Sequence, residues 1–316
     1  NLSAQALTRE PARCDEMKKY YYAKIGTGNN RAEASLRGEN EIGMPAIPIY
    51  FESEPRTKAE FLSIYRPRSN KDVQDYFACG ENNEGKHIVV IHDGQVHFLE
   101  PSGDVDFKES NDPTWAGYVK LLPVRYTDPP KKLSITKVPA ILEGMAASQW
   151  LARGTFREIR NEGNIIAIQA MLKQQINVPD NASIKHALNC LSSVEFETLI
   201  AKLFEEAGCF VPAYRGGNIQ GVDIFAINKS TSLINLAGLT IEPAMAMSIQ
   251  VKLSTPLTAP PQGVDILVGM GITESTNCLG ENWLALALAE RPKTRRWLVQ
   301  SLEWLPPEYQ AITTLF

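Results

Sequence analysis

Hydrophobic and polar positions follow two different patterns along the chain. In the first half, short runs rich in β-branched and aromatic residues recur between turn signals: Tyr20 to Ile25, Ile47 to Phe51, His87 to Ile91, Val96 to Leu99 and Val119 to Val124. Runs of this kind predict strands. Asp93-Gly94 predicts a tight hairpin between the third and fourth, because the favoured turn needs positive φ at both central residues. The Pro-rich, basic stretch from Tyr126 to Pro139 predicts a surface excursion. Helical spacing follows at Ile141 to Trp150 and Asn164 to Gln174. Asn177-Val178-Pro179-Asp180-Asn181 then predicts a linker.

Beyond that break the pattern becomes helix, three strands, then helices. Ser192-Ser193-Val194-Glu195 has the form of a capping box, and Phe196, Leu199, Ile200, Leu203, Phe204 and Ala207 follow at helical spacing up to Gly208. Val222 to Ile227 is apolar apart from Asp223, which predicts a strand covered on both faces. Ser248 to Leu253 and Val264 to Val268 predict two more strands, and Trp283 to Ala289 and Arg296 to Leu302 predict helices. The expected fold is therefore α+β, with a β-rich N-terminal recognition or sensor domain over residues 1–178 and a second domain over 179–316.

Composition narrows the class. With 316 residues, 44% of them hydrophobic, the chain is long enough for two packed domains. No uninterrupted apolar stretch is long enough to predict a membrane span, and residues 1–16 lack the apolar centre of a signal peptide. Five scattered cysteines without a CxxC pair argue against a zinc site or a disulfide framework and favour a reducing cytoplasm. A formal net charge of −4 means that phosphate binding would need a local basic groove.

The candidate chemistry lies in Gly221-Val222-Asp223-Ile224 and Ile249-Gln250-Val251-Lys252. Alternation along a strand turns Gln250 and Lys252 to one face and Ile249, Val251 and Leu253 to the other. A carboxylate on an apolar strand needs a compensating partner. A Mg²⁺ ion held by Asp223, Gln250 and the Val251 carbonyl would supply one, with Mn²⁺ as a substitute, and Lys252 would orient a water for attack on phosphorus.

Taken with Phe196-Glu197, these runs resemble the catalytic core of Mrr-type restriction endonucleases, a branch of the PD-(D/E)xK nuclease superfamily in which Gln often replaces the middle acid. The resemblance covers roughly Ser183 to Val268. It implies a restriction-endonuclease-like α/β domain with a mixed central sheet flanked by helices. It makes Asp223 the main metal ligand, Gln250 the second, Lys252 the catalytic lysine and Glu197 the acid carried by the helix. The implied activity is Mg²⁺-dependent cleavage of double-stranded DNA, foreign or modified, by a homodimer. A junction-resolving or repair nuclease and a non-catalytic DNA-binding protein are the alternatives.

The segment Arg215 to Gln220 holds no acid, and the second Gly-Val-Asp-Ile, at Gly263 to Ile266, follows the lysine motif; Asp265 is read there as a structural strand residue. Arg215, Lys229, Lys293, Arg295 and Arg296 are candidate phosphate contacts. The N-terminal half is loosely similar to PUA-like barrels that extract a modified base, for which Tyr20, Tyr21, Tyr22, Tyr65 and Trp115 are candidate stacking residues, although a Tyr run is more often strand core. His87, His92 and His97 alternate faces and do not predict a metal cluster. Gly26-Thr27-Gly28 predicts a turn, since Arg31 replaces the third glycine of a dinucleotide loop.

Overall fold

The computed structural model describes residues 18–26, 29–51, 78–80, 83–112, 117–129, 131–147, 156–177, 183–214, 221–253, 257–307 and 309–310. Contacts divide the chain into two compact units, Asn1–Leu133 with Trp150–Ile159, and Ser134–Gln149 with Arg160–Phe316.

The first unit is built on one eight-stranded sheet: β1 (Lys19–Ala23), β2 (Ala46–Phe51), β3 (Lys86–His92), β4 (Gln95–Pro101), β5 (Asp106–Glu109), β6 (Tyr118–Tyr126), β7 (Lys132–Ser134) and β8 (Phe156–Glu158). The main path runs β2-β6-β4-β3-β1-β8, with β5 on β6 and β7 on β4. β1 is parallel to β3, so the sheet is mixed. β6 pairs with β2 as far as Pro123 and with β4 from Val124, and this change of partner curls the sheet. The expected hairpin forms, with φ of 46° at Asp93 and 65° at Gly94. Its inner face buries Tyr21, Ile47, Ile88, Leu99, Leu122 and Phe156, with helix α1 (Ala32–Leu36) packed alongside. Part of the expected surface excursion is ordered as β7 and a 3-10 turn at Ile135–Lys137.

The second unit begins with α2 (Ala140–Ala147), α3 (Glu162–Met171), α4 (Ile184–Leu188) and α5 (Ser193–Ala207). Strands β9 (Phe210–Tyr214), β10 (Ile224–Ile227), β11 (Ile234–Leu236), β12 (Leu239–Ile241), β13 (Ala246–Lys252), β14 (Ile266–Gly269) and β15 (Cys278–Leu279) follow, then α6 (Glu281–Glu290) and α7 (Pro292–Ser301). A five-stranded sheet has the order β15-β14-β13-β10-β9, while β11 and β12 form a separate hairpin. β9, β10 and β13 are antiparallel neighbours, and β13, β14 and β15 are parallel.

The local causes of α5 are those its sequence predicts. Ser192 Oγ accepts the Glu195 N–H at 3.2 Å, Glu195 Oε2 accepts the Ser192 N–H at 2.8 Å, and Gly208 closes the helix at φ 106°. Its apolar stripe, Phe196, Leu199, Ile200, Leu203 and Phe204, is fully buried against Ile224, Ile249, Val251 and Ile266. Each such side chain contributes about 1.5–3 kcal/mol on leaving water.

Two expectations change. β10 is not covered on both faces: Ile224 and Ala226 are buried, whereas Phe225 and Ile227 are half-buried. An antiparallel strand needs only one face in the core. The helices expected at the end of the N-terminal domain belong to the second unit, because Ile166 of α3 joins the core that Phe196 occupies. Gly163 packs there so closely that a Cβ would overlap the Asn189 carbonyl. The expected boundary at residue 178 lies outside the described residues.

Candidate active site

Register assembles the site. Ile224 of β10 faces Ile249 of β13, so Asp223, one residue before β10, stands opposite Gln250. Directly opposed residues share a face of the sheet. Asp223, Gln250 and Lys252 therefore lie on one side, and Ile224, Ile249 and Val251 on the other with α5. A slip of one residue would exchange the two sets and bury Lys252.

Asp223 is half-buried, and its Oδ2 accepts the Val251 N–H at 2.7 Å. The carboxylate thus takes the place of a backbone carbonyl just where β10 has not yet begun, after a turn at Gly221 with φ +86°. Among the described residues, nothing donates to Oδ1 and no cationic side chain pairs with the carboxylate.

Gln250 is 6% exposed, and its Oε1 is buried with no hydrogen-bond partner among the described residues. An amide oxygen buried in this state costs about 1–3 kcal/mol. Its Nε2 lies beside Gly221, where a Cβ would come within 3.5 Å. Lys252 is half-buried; its carbonyl accepts the Met270 N–H at 3.1 Å, and its ammonium has no ion pair among the described residues. Opposite it, a Cβ at Gly269 would overlap the Lys252 carbonyl, so the close approach of β14 requires glycine.

The donors fit a hard cation. Asp223 Oδ1, Gln250 Oε1 and the Val251 carbonyl, which leaves the strand on the side of the Val251 N–H, are all oxygens, as Mg²⁺ or Mn²⁺ prefers. The described residues contain no group of three or more His, Cys, Asp or Glu able to hold a metal; besides Asp223, the Asp265 carboxylate lies on this face, across from Ser248 and engaged by it.

Other candidates are placed differently. Glu197 stands on α5, whose apolar stripe covers the opposite face of the sheet from Gln250 and Lys252. Lys229 follows the far end of β10, about 20 Å from Asp223 at the rise of an extended chain, and its ammonium lies 3.6 Å from the Phe210 ring centroid. Lys293 is at that same end: Glu206, in the last turn of α5 before β9, accepts the Lys293 and Thr294 N–H groups at 3.0 and 2.7 Å. Arg296 is exposed and Arg295 half-buried on α7. Arg215 lies outside the described residues, as do Tyr65 and Trp115.

Tyr20, Tyr21 and Tyr22 are core residues, between 2% and 5% exposed, and present no stacking platform. Gly26 turns at φ 75° and leads to Asn29, whose Oδ1 accepts the Ile25 N–H at 2.6 Å. His87 stacks on Tyr20, and His97 Nδ1 is 3.0 Å from the Tyr126 hydroxyl. Burial, then Lys132 and His92, push the His97 imidazole down to about 4.

The structure adds a clamp to the reading of Asp265. Asp265 Oδ2 accepts the Ser248 N–H at 2.8 Å and the Ser248 hydroxyl at 2.7 Å, and the Asp265 N–H returns to the Ser248 carbonyl at 3.0 Å. The repeated Gly-Val-Asp-Ile signals the Asp; nothing in the sequence signals Ser248 as its partner.

No protein-family model, curated protein or solved structure matches this chain.

Proposed function

We propose that the second unit is a Mg²⁺-dependent endonuclease that hydrolyses phosphodiester bonds of double-stranded DNA. The observation that carries this reading is the Gln250 Oε1, a buried acceptor with no partner among the described residues, on the face shared with Asp223 and the Lys252 ammonium. Buried amide oxygens normally find a donor. Asn164 Oδ1 shares this state; Gln250 differs in standing beside a carboxylate, the donor set an oxygen-seeking cation takes.

Asp223 Oδ1, Gln250 Oε1 and the Val251 carbonyl would hold Mg²⁺, which when bound offsets phosphate charge and acidifies water. The chain's own groups do the rest. Val251 N–H holds the Asp223 carboxylate in one orientation. The Lys252 ammonium donates to a non-bridging oxygen, where negative charge builds up. The water gives a proton to solvent as its oxygen bonds to phosphorus, the opposite P–O ester bond breaks, and the leaving alkoxide takes a proton from solvent. A two-fold pair of such sites would cut both strands. The first unit is then the candidate reader of the DNA, including its modified forms.

The test is cleavage of supercoiled plasmid with Mg²⁺ or Mn²⁺. Asp223→Ala and Lys252→Ala should each lower the rate by about 10²–10³-fold. Gln250 in place of an acid favours a second reading, a non-catalytic DNA-binding protein, since a neutral ligand holds metal less tightly. Wild-type protein that binds duplex but never nicks it, with either ion, would establish that reading instead.

A further inference from the structure

A second concavity lies at the β15 edge of the sheet and shares no residue with the Asp223 site. It offers about 520 Å³ between the β11–β12 hairpin, the turn before β15 and α6, a volume typical of small-molecule sites. Buried Leu279 and Trp283 form its floor, and Leu239 and Leu286 its walls. Leu286 is 58% exposed, although Trp283, Leu284, Ala287 and Leu288 on the same helix are all buried. An apolar side chain left in water on this wall gains from being covered. The walls are fixed before anything binds. Trp283 Nε1–H donates to the Leu236 carbonyl at 3.2 Å, Glu290 Oε2 accepts the Ala237 N–H at 3.2 Å and Arg291 donates to the Asn235 carbonyl at 2.8 Å, which pins the hairpin to α6. A cavity held in this way loses little freedom on binding.

The charge of the cavity has one sign. Among the described residues, Glu274 is the only charged side chain lining it, so an anion meets no counter-charge there. Glu274 Oε1 accepts the Trp283 N–H at 3.0 Å, and Oε2 accepts from Asn282 Nδ2 at 3.3 Å. Gly280 leaves room for the carboxylate, because a Cβ there would come within 2.9 Å of Oε1. These two bonds leave about half of a carboxylate's acceptor positions open. We infer that the cavity binds a small organic amine, with an apolar body of ring size against Leu239, Leu279, Trp283 and Leu286 and an ammonium that donates to Glu274. The walls favour an apolar body over a free ion, and the carboxylate favours a cation over an acid of the same size. The inference goes beyond the endonuclease reading and stands or falls separately from it.

The experiment is equilibrium dialysis of the full-length protein against tryptamine, tryptophol and indole-3-acetate, which share an indole ring on a short chain and differ in charge. Tryptamine should bind about tenfold more tightly than tryptophol, the difference between a charged and a neutral hydrogen bond, and indole-3-acetate should not bind. Leu286→Lys places a cation on an exposed wall position; it should weaken tryptamine by at least about tenfold and leave the melting temperature unchanged. Glu274→Gln should bring tryptamine to the level of tryptophol. Equal affinity for the amine and the alcohol, binding of the acid, or retention of none of the three at millimolar concentration overturns the inference. If Glu274→Gln does not fold, Leu286→Lys decides, and an unchanged tryptamine affinity in that variant overturns it.

Discussion

Replacing Gln250 with Met should stabilise the protein while abolishing cleavage. Most single core substitutions destabilise, by an average of about 1 kcal/mol. Gln250 is a special case because its buried Oε1 has no partner to lose. Met has a similar unbranched length and no amide, so it removes a desolvated acceptor whose burial costs about 1–3 kcal/mol and breaks no hydrogen bond. The expected change is a gain of about 1 kcal/mol or more, or roughly 2–4 °C in melting temperature for a unit of this size. Ser248→Ala is the matched control, two residues earlier on the same strand face. Its hydroxyl is bonded to Asp265 at 2.7 Å and to the Gly263 carbonyl at 3.2 Å, so its loss should cost about 1–2 kcal/mol. Urea denaturation followed by circular dichroism, with plasmid nicking measured in parallel, reads both effects. A Gln250→Met protein destabilised by 1 kcal/mol or more would show that the glutamine is built into the fold, and the argument for a cation at Oε1 would fall.

Asp223→Asn can still accept the Val251 N–H and should keep most of the stability that Asp223→Ala loses, about 1 kcal/mol, while both lose cleavage; equal melting temperatures for the two would show that the 2.7 Å bond is unimportant. The depressed His97 makes the first unit sensitive to acid. Because the folded imidazole titrates near 4 and the unfolded one near 6.5, its contribution is complete above pH 6.5 and is lost as pH falls toward 4. Melting temperature should therefore drop more between pH 7 and pH 5 in wild type than in His97→Gln, and equal drops would refute the assignment. Lys229→Ala and Lys293→Ala, at the sheet end away from Asp223, should leave the salt dependence of duplex binding unchanged, whereas Lys252→Met should lower its slope by about 0.9. A slope change of that size for Lys229→Ala would place DNA at the far end of the sheet.

Much of the fold was legible because its cues are local. The five strands read in the first half correspond to β1, β2, β3, β4 and β6, and Asp93-Gly94 forms the turn its dihedral needs dictate. The Ser192 and Glu195 box and Gly208 mark both ends of α5. What escaped were short elements whose reason is tertiary. β5, β8 and β15 carry no period long enough to detect, and they exist because a neighbouring strand offers an edge to pair with. The assignment of α2 and α3 to the second unit likewise depends on which core takes Ile166, and a linker signal near Pro179 says nothing about that.

The site was legible in its strand alternation and illegible in its surroundings. Period-two spacing is enough to put Gln250 and Lys252 on one face, and it predicts no partner for either. Glu197 shows the limit: one residue from Phe196 in sequence, it is carried by a helix that the apolar stripe commits to the other side of the sheet. Sequence proximity to a motif is not spatial proximity to its side chains. Lys229 and Lys293 lie at the far sheet end for a similar reason, since nothing in the sequence says which end of a strand a lysine beyond it will occupy.

The remaining step concerns why these three side chains stay together. In the five-stranded sheet β13 has an antiparallel neighbour on one edge and a parallel neighbour on the other, so two independent ladders fix its register. Each ladder is locked by a carboxylate that acts as backbone: Asp223 receives the Val251 N–H from the β10 side, and Asp265 receives the Ser248 N–H from the β14 side. These locks flank Gln250, the residue between Ser248 and Val251 whose face is opposite to Ile249. A strand held from both edges can carry an unsatisfied amide without rotating it to the other face, because rotation would break both locks and expose Ile249 and Val251. The strain of an unpartnered acceptor is thus sustained by two aspartates: Asp265 holds Ser248 at both its contacts, while Asp223 gives one oxygen to the fold and leaves the other without a donor among the described residues.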